Sequence, residues 1–233
     1  MNVIEEFSRF ANLYDRYNTI QSRVAKRLTS KIDIKDYNRV LDIGCGSGLI
    51  YKNIIKSIKF NEFVALDFSK KMLDIHPTSK NIKKIYFDFN NREDFNTLKN
   101  SSYDFIISSS ALQWSRDLDM TLKEISRLSN LFYFSIFTSG TFRTLHQIAG
   151  IKSPIYDKEY IEEVVNRYYI SSFELINYRL KFSNIYEMLR YIKRSGVSGG
   201  KRQLSYLQIK DIIRNYPLNY LEFEVLFIKA ISK

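Results

Sequence analysis

Cysteine, histidine and proline are scarce in this chain of 233 residues, at one, two and three copies. The lone Cys45 excludes an internal disulfide, and thiol-poor usage of this kind fits a reducing compartment, so a cytoplasmic home is expected. The two histidines, His76 and His146, are not spaced as metal ligands and no other ligand cluster accompanies them, so no metal is expected. No apolar run approaches the ~20 residues that cross a bilayer. The opening Met1 to Glu6 is acidic where a signal peptide would be basic and then apolar, so neither a membrane nor an export signal is expected. There is no internal repeat and no low-complexity linker, and the length suits one domain with a full core.

Acids are also in deficit, 25 against 36 basic residues, for a formal net charge of +11. That balance points to an acidic partner, either nucleic acid or a protein with an acidic surface. Part of the excess reflects a bias toward Lys, Ile, Asn, Tyr and Phe along the whole chain. Distribution therefore says more than the total. From Arg190 to Arg214 the cations Arg190, Lys193, Arg194, Lys201, Arg202, Lys210 and Arg214 meet one acid, Asp211.

What is present is organised around Val40-Leu41-Asp42-Ile43-Gly44-Cys45-Gly46-Ser47-Gly48-Leu49. A short apolar strand runs into three glycines at alternate positions and then into an amphipathic run, Ile50 to Ile58. Glycine stands where a backbone turns tightly or approaches a ligand, having no Cβ to clash. In a doubly wound sheet the first strand-to-helix turn lies at the carboxyl end of a strand, where ligands bind. A second apolar strand, Glu62 to Asp67, ends in an acid able to accept hydrogen bonds from both hydroxyls of a ribose. A dinucleotide site has similar grammar. The form Asp-x-Gly-x-Gly-x-Gly, with Asp67 closing the next strand, resembles motifs I and II of class I S-adenosylmethionine-dependent methyltransferases. Cys45 reads most simply as a small residue packed beneath the ligand.

The remaining pattern alternates. Phe7, Phe10, Ala11 and Tyr14, then Ile20, Val24 and Leu28, have helical spacing and predict two helices broken near Asp15 to Asn18. Lying outside the alternating core, they are expected to form a lid over the site, with Tyr14, Tyr17 and Gln21 at their junction. Ser69 is a plausible N-cap for a short helix, and His76, before Pro77, reads as a turn residue. Lys84 to Phe87 is a third strand, followed by Asp88 and Phe89, where the resemblance to class I methyltransferases implies contacts with the adenine amine and ring. Tyr103 to Ile107 is a fourth, leading into Ser108-Ser109-Ser110-Ala111-Leu112-Gln113-Trp114, and Leu131 to Phe137 is a fifth. Leu118, Leu122, Ile125 and Leu128 predict the helix between them. Strand alternating with helix implies a parallel sheet covered on both faces. Ile170 to Phe182 and Tyr220 to Ile231 supply strands six and seven. Helical insertions, Thr141 to Tyr168 and Ile185 to Asn215, precede them, the second turning at Gly196 and Gly199-Gly200.

The segment after strand four lacks the Asn/Asp-Pro-Pro-Tyr/Phe pattern of amino-group methyltransferases acting on nucleic acid. Methyl transfer needs donor and acceptor held at attack distance with water excluded. A carboxylate acceptor, pKa near ~4, is ionised at neutral pH and needs no base, but it must be bound and aimed, preferably by Arg. His146 reads as a surface or packed residue, or as a hydrogen-bonder behind the site.

Across nearly its whole length the chain resembles the malonyl-acyl carrier protein O-methyltransferases of biotin synthesis. Phe7-Ser8-Arg9-Phe10-Ala11-Asn12-Leu13-Tyr14, with Gln21, resembles that family's Phe-x-Arg-Ala-Ala-x-x-Tyr opening and later glutamine. Leu112-Gln113-Trp114 resembles its Leu-Gln-Trp motif. Leu189, Ile192-Lys193 and Gly196-Val197 resemble its Leu-x-x-(Leu/Ile)-Lys-x-x-Gly-Ala segment, and Tyr216-Pro217-Leu218-Asn219-Tyr220 its Tyr-Pro-x-Thr-Tyr close. The chain departs from the family at Ser109, where Asn is usual, at Thr144, where Glu is usual, and at Arg127-Leu128-Ser129-Asn130, where an Arg-Pro-Gly-Gly turn is usual. The resemblance implies a class I methyltransferase (Rossmann-like) α/β fold with a seven-stranded, mostly parallel sheet and an antiparallel last strand. It implies one domain over 1–233: a lid over 1–30, a donor-binding core over 31–138, acceptor-side insertions over 139–169 and 184–215, and closing strands over 170–183 and 220–233.

The implied cofactor is S-adenosylmethionine, without a metal. The donor residues are Tyr14, Gln21, Asp42, Gly44, Cys45, Gly46, Gly48, Asp67, Phe68, Met72, Asp88, Phe89, Ser109, Leu112 and Trp114. Lys193, Arg194, Arg143 and Tyr17 are the acceptor-side or catalytic candidates, and Tyr14, Tyr17, Gln113 and Trp114 mark the donor-acceptor boundary. The implied acceptor is the malonyl carboxylate on acyl carrier protein, an acidic partner that the late basic tract would steer, with no membrane and no nucleic acid. Other acceptors (a small acid, a quinone precursor or a tRNA) and a non-catalytic donor-binding role are the alternatives.

Overall fold

The computed structural model describes residues 18–98, 102–195 and 204–233. Among them seven strands form one sheet: β1 (Asp36–Ile43), β2 (Lys59–Asp67), β3 (Ile82–Tyr86), β4 (Phe105–Ser109), β5 (Leu131–Phe137), β6 (Tyr169–Lys181) and β7 (Tyr220–Ser232). The spatial order is β3-β2-β1-β4-β5-β7-β6. The first five strands run parallel, β7 pairs antiparallel with β5, and β6 pairs antiparallel with β7.

The helices are α1 (Thr19–Thr29), α2 (Leu49–Ile54), α3 (Lys70–Ile75), α4 (Arg92–Asn96), α5 (Leu118–Ile125), α6 (Arg143–Ile148), α7 (Lys158–Tyr168), α8 (Ile185–Ser195) and α9 (Tyr206–Asn215). A 3₁₀ turn covers Leu112–Trp114. Strand side chains alternate between the two faces. Val40, Phe63 and Phe105 join the layer of α1 and α2, extended by Leu145, Met188 and Ile212 of α6, α8 and α9. Leu41, Val64 and Ile106 join the layer of α4, α5 and α7. Covering on both faces explains why β1 and β2 read as nearly unbroken apolar runs at their carboxyl halves.

Several elements differ from the sequence reading. The first N-terminal helix and the junction, with Tyr14 and Tyr17, lie outside the described residues. The second, α1, is a core helix and not a separate lid: Ile20, Val24 and Leu28 are fully buried in the layer it shares with α2. The helix after the glycine loop stops at Ile54, because the chain turns through Ser57 and Ile58 into β2, which begins at Lys59. The first insertion is two helices. The break follows Gly150, whose φ of +63° suits a left-handed helix end, and contains Pro154. The second insertion divides into α8 and α9, on either side of the glycines expected to break it, and those glycines lie outside the described residues.

Candidate active site

The glycine loop leaves β1 and is pinned at once to its neighbour. The amides of Gly44 and Cys45 donate to the Leu66 carbonyl of β2 at 2.8 and 2.9 Å. Gly44, Gly46 and Gly48 all have positive φ, +71°, +51° and +83°, which L side chains rarely adopt. A Cβ at Gly44 would stand 2.4 Å from Ala111 Cβ, and one at Gly48 would stand 2.6 Å from Pro77 Cδ. A Cβ at Gly46 would meet nothing within 4 Å among the described residues. Gly46 therefore forms the floor of a cleft whose described lining is Gln21, Gly44, Cys45, Gly46, Ser47, Leu49, Ile50 and Ser109.

Two carboxylates stand behind this loop. Asp42 and Asp67 occupy the same sheet face as Val40 and Ala65, since side chains two apart share a face. Asp42 is fully buried, and neither carboxylate oxygen has a hydrogen-bond partner among the described residues. Burial pushes its carboxyl well above the usual range, and the nearby Asp67 charge adds to the rise. Asp67 is held more firmly: Oδ2 accepts from the Gly46 amide at 2.9 Å and Oδ1 from the Ser69 amide at 2.8 Å. Burial lifts it to about 6, against the lowering effect of those two amides. Burial, and then the two acids, also push the Cys45 thiol up, so this cysteine is a packed thiol and no thiolate nucleophile.

Neither acid has an ion-pair partner among the described residues, so the ionised form of each carries a burial penalty. A ligand carrying both an ammonium and a sulfonium would relieve it, and Asp67 keeps lone pairs for hydroxyl donors. The chemistry of the residues present therefore fits S-adenosylmethionine. The open face of Gly46 provides the close backbone approach such a ligand needs.

The structure brings Gln21, Gly44, Cys45, Gly46 and Ser109 to one cleft. Gln21, carried by α1, has a buried Oε1 without a partner among the described residues. Ser69 caps α3 as expected, accepting from the Met72 amide, and so places Phe68 and the buried Met72 beside the Asp67 turn. Phe68 packs edge-on against Phe89, centroids 6.4 Å apart, and Phe89 is itself buried in the core beneath. Asp88 Oδ1 accepts from the Asn90 amide. Asn90 then bridges to the loop after β4, donating to the Trp114 carbonyl at 3.5 Å and accepting from the Arg116 amide at 2.7 Å. Leu112 is buried in the same layer as Phe89, with Trp114 packed against it.

Sequence reasoning passed over Ser47, Leu49 and Ile50 of the lining, which only loop geometry selects. It also passed over Ser110. This residue leaves β4 with φ +56°, a buried Oγ without a partner among the described residues, and a carbonyl that accepts from Gln113 Nε2 at 2.6 Å. A left-handed non-glycine residue is a strained position of the kind that clusters at functional sites.

The acceptor-side cations are not gathered at the cleft. Arg143 opens α6 at 67% side-chain exposure, 3.8 Å from Glu222, and it does not line the described cleft. Glu222 accepts from the Thr144 amide at 2.9 Å, so this acid anchors the start of α6. The side chains of Lys193 and Arg194, at the end of α8, lie outside the described residues. His146 packs edge-on against Phe142, and burial lowers its pKa. His76 stands at the bend that closes α3 before Pro77, as expected, and its side chain is buried beneath the loop.

Residues 41–130 match the family model described as "Methyltransferase domain". The chain is 31% identical over 150 residues to malonyl-[acyl-carrier protein] O-methyltransferase of Bacillus cereus, covering 61% of this chain and 55% of that protein. It thus spans about half the length of that relative. A protein of the same description from Chlorobium phaeovibrioides is 27% identical over 232 residues, 93% of this chain and 87% of the relative. Among solved structures, the YcgJ protein of Bacillus subtilis superposes with a TM-score of 0.68 at 14% identity, over 91% of this chain and 98% of that one, a likeness of fold.

Proposed function

We propose that this chain, a member of the class I S-adenosylmethionine-dependent methyltransferases, methylates the free carboxylate of a malonyl thioester carried on acyl carrier protein. The observation that carries the donor half is the pair of buried acids without a cationic partner among the described residues, set behind an open-faced Gly46. The acceptor half is supported by the relatives in Bacillus cereus and Chlorobium phaeovibrioides and by the net charge of +11. Bound on the glycine loop, S-adenosylmethionine supplies an electrophilic methyl group.

In this reading Asp42 and Gln21 orient the aminoacyl end, and Asp67, already fixed by two backbone amides, receives the ribose hydroxyls. Phe68, Met72, Asp88, Phe89, Leu112 and Trp114 frame the adenine. Gln113 is assigned to the boundary between donor and acceptor, as are Tyr14 and Tyr17, which lie outside the described residues. An ionised carboxylate attacks without a base, which matches a cleft whose described polar lining is amide, hydroxyl and thiol. The remaining demand is a cation to hold and aim the acceptor. Arg143, Lys193 and Arg194 are assigned that role, Arg143 being exposed enough to leave Glu222 for it. Neutralising the carboxylate as an ester would present an uncharged primer end for chain elongation and the later formation of biotin.

The test is methyl transfer from labelled donor to malonyl-carrier protein, beside acetyl-carrier protein and bulk tRNA. Label on the malonyl form alone, released by ester hydrolysis, is the expected result. Label on tRNA, or donor binding with no turnover on any of the three, would overturn the acceptor assignment.

A further inference from the structure

His76 is 2% exposed, and its amide closes α3 by donating to the Met72 carbonyl. The ring stacks on Phe63, centroids 6.2 Å apart at 28°, and lies 6.0 Å from the Tyr51 ring. Nδ1 is 2.9 Å from the Pro77 carbonyl oxygen. A carbonyl can only accept, so Nδ1 carries the proton and the neutral ring leaves Nε2 bare. Nε2 is buried and has no hydrogen-bond partner among the described residues. That edge of the ring faces the donor loop: a Cβ at Gly48 would lie 2.9 Å from His76 Cδ2 and 3.0 Å from Nε2. The imidazole is therefore a wedge under the last glycine of the loop.

The charges that bear on the ring are cationic. Lys84 of β3 donates from Nζ to the His76 and Leu73 carbonyls, each at 2.8 Å, and Lys52 extends from α2, the helix that also carries Tyr51. Burial chiefly, and then these lysines, hold the imidazole below its ordinary pKa.

We propose that His76 is a positioning residue for the donor loop, and that its protonation and the binding of the donor exclude one another. The neutral ring lets Gly48 seat against it. A protonated ring would press an N–H and a charge against the Gly48 backbone with no acceptor there, an arrangement burial strongly disfavours. Relief requires the ring and residues 44–48 to part so that Nε2 reaches water. A donor bound across the loop opposes that parting. Proton and donor thus compete, and by linkage the competition is reciprocal. The inference rests on the donor half of the proposed function and not on the identity of the acceptor.

With two histidines in the chain, each ring can be followed by NMR titration, His146→Gln supplying the assignment. Saturation with S-adenosylhomocysteine is expected to lower the His76 midpoint by on the order of one pH unit, a roughly tenfold coupling, and to leave His146 in place. In calorimetric titrations from about pH 7.5 to about pH 5.5, His76→Phe, which keeps a stacked ring without a titrating nitrogen, should lose less affinity for S-adenosylhomocysteine than the wild type. The proton taken up by Asp67 contributes to both proteins and cancels in the comparison. A His76 midpoint that stays put or rises on ligand binding overturns the inference. So does a ring that remains neutral, with and without ligand, down to acid unfolding. Absence of S-adenosylhomocysteine binding at neutral pH would defeat the donor-site reading and this inference with it.

Discussion

A methyl group added at position 46 would project into the open cleft, whereas one at position 44 would collide with Ala111 and one at position 48 with Pro77 and His76. The three glycines thus serve ligand approach, packing on the loop after β4, and packing on the end of α3. Gly46→Ala is expected to cost only the left-handed backbone strain, about 1–2 kcal/mol, while weakening S-adenosylhomocysteine binding at least about tenfold by filling the donor's space. Gly44→Ala adds an overpacking cost to the same strain, about 2–5 kcal/mol in all. Urea unfolding and calorimetry on both variants check this; equal stabilities would contradict the assignment of the two positions.

Asp67 gives a second prediction at this scale. Its folded-state pKa of about 6 lies above the unfolded value, so the folded chain holds this proton more tightly. Its contribution is present in full below ~pH 4 and is lost as pH rises through about 6. Asp67→Asn removes the titration, so the ligand-free variant should gain on the wild type by up to about 3 kcal/mol between the two ends of that window. A stability difference that is flat in pH would rule this out.

Among the elements, α6 and α9 owe much of their anchoring to local devices. Ser205 and Gln208 form a capping box at the start of α9, and Gln208 Nε2 also donates to the Ala149 carbonyl at 2.8 Å, tying α9 to the end of α6. At the other end of α6, Phe142 sits at φ +57° and Glu222 holds the Thr144 amide. In α9 only Ile212 is fully buried, whereas β1 is buried through Val40 to Ile43. Ser205→Ala should therefore cost about 1 kcal/mol, and hydrogen exchange should show the loss in α9 while β1 and β4 keep their protection. Equal acceleration in the central strands would mean that α9 unfolds only with the core. The contrast also explains which boundaries could be read from sequence. The central strands β1, β2, β4 and β5, buried on both faces over most of their length, announce themselves as apolar runs. The insertion helices break at Gly150 and Pro154, positions a continuous helical period conceals.

For the molecule as a whole, the charge of +11 acts at a distance. If the acceptor arrives on an acidic carrier, its kcat/KM should fall several-fold between about 50 mM and about 300 mM salt, because screening removes the steering. Affinity for the small, internally paired S-adenosylhomocysteine should change much less. A carrier reaction indifferent to salt would leave the basic tract without a role in encounter.

Sequence alone determined the alternation of strands and helices, the position of the glycine loop, and the acids that close β1 and β2. Each of these follows from local chemistry: burial on two faces demands an apolar run, and positive φ demands glycine. Helical spacing likewise marked α1, but an amphipathic period says that one face is covered and not what covers it. Only the tertiary structure made α1 a core helix that delivers Gln21 to the cleft. It alone set Asp42 and Asp67 on one face without a cation among the described residues, because partners there come from residues distant in sequence. And it turned His76 from a residue beside a proline into a buried wedge under Gly48, a contact 28 positions apart that no local pattern encodes.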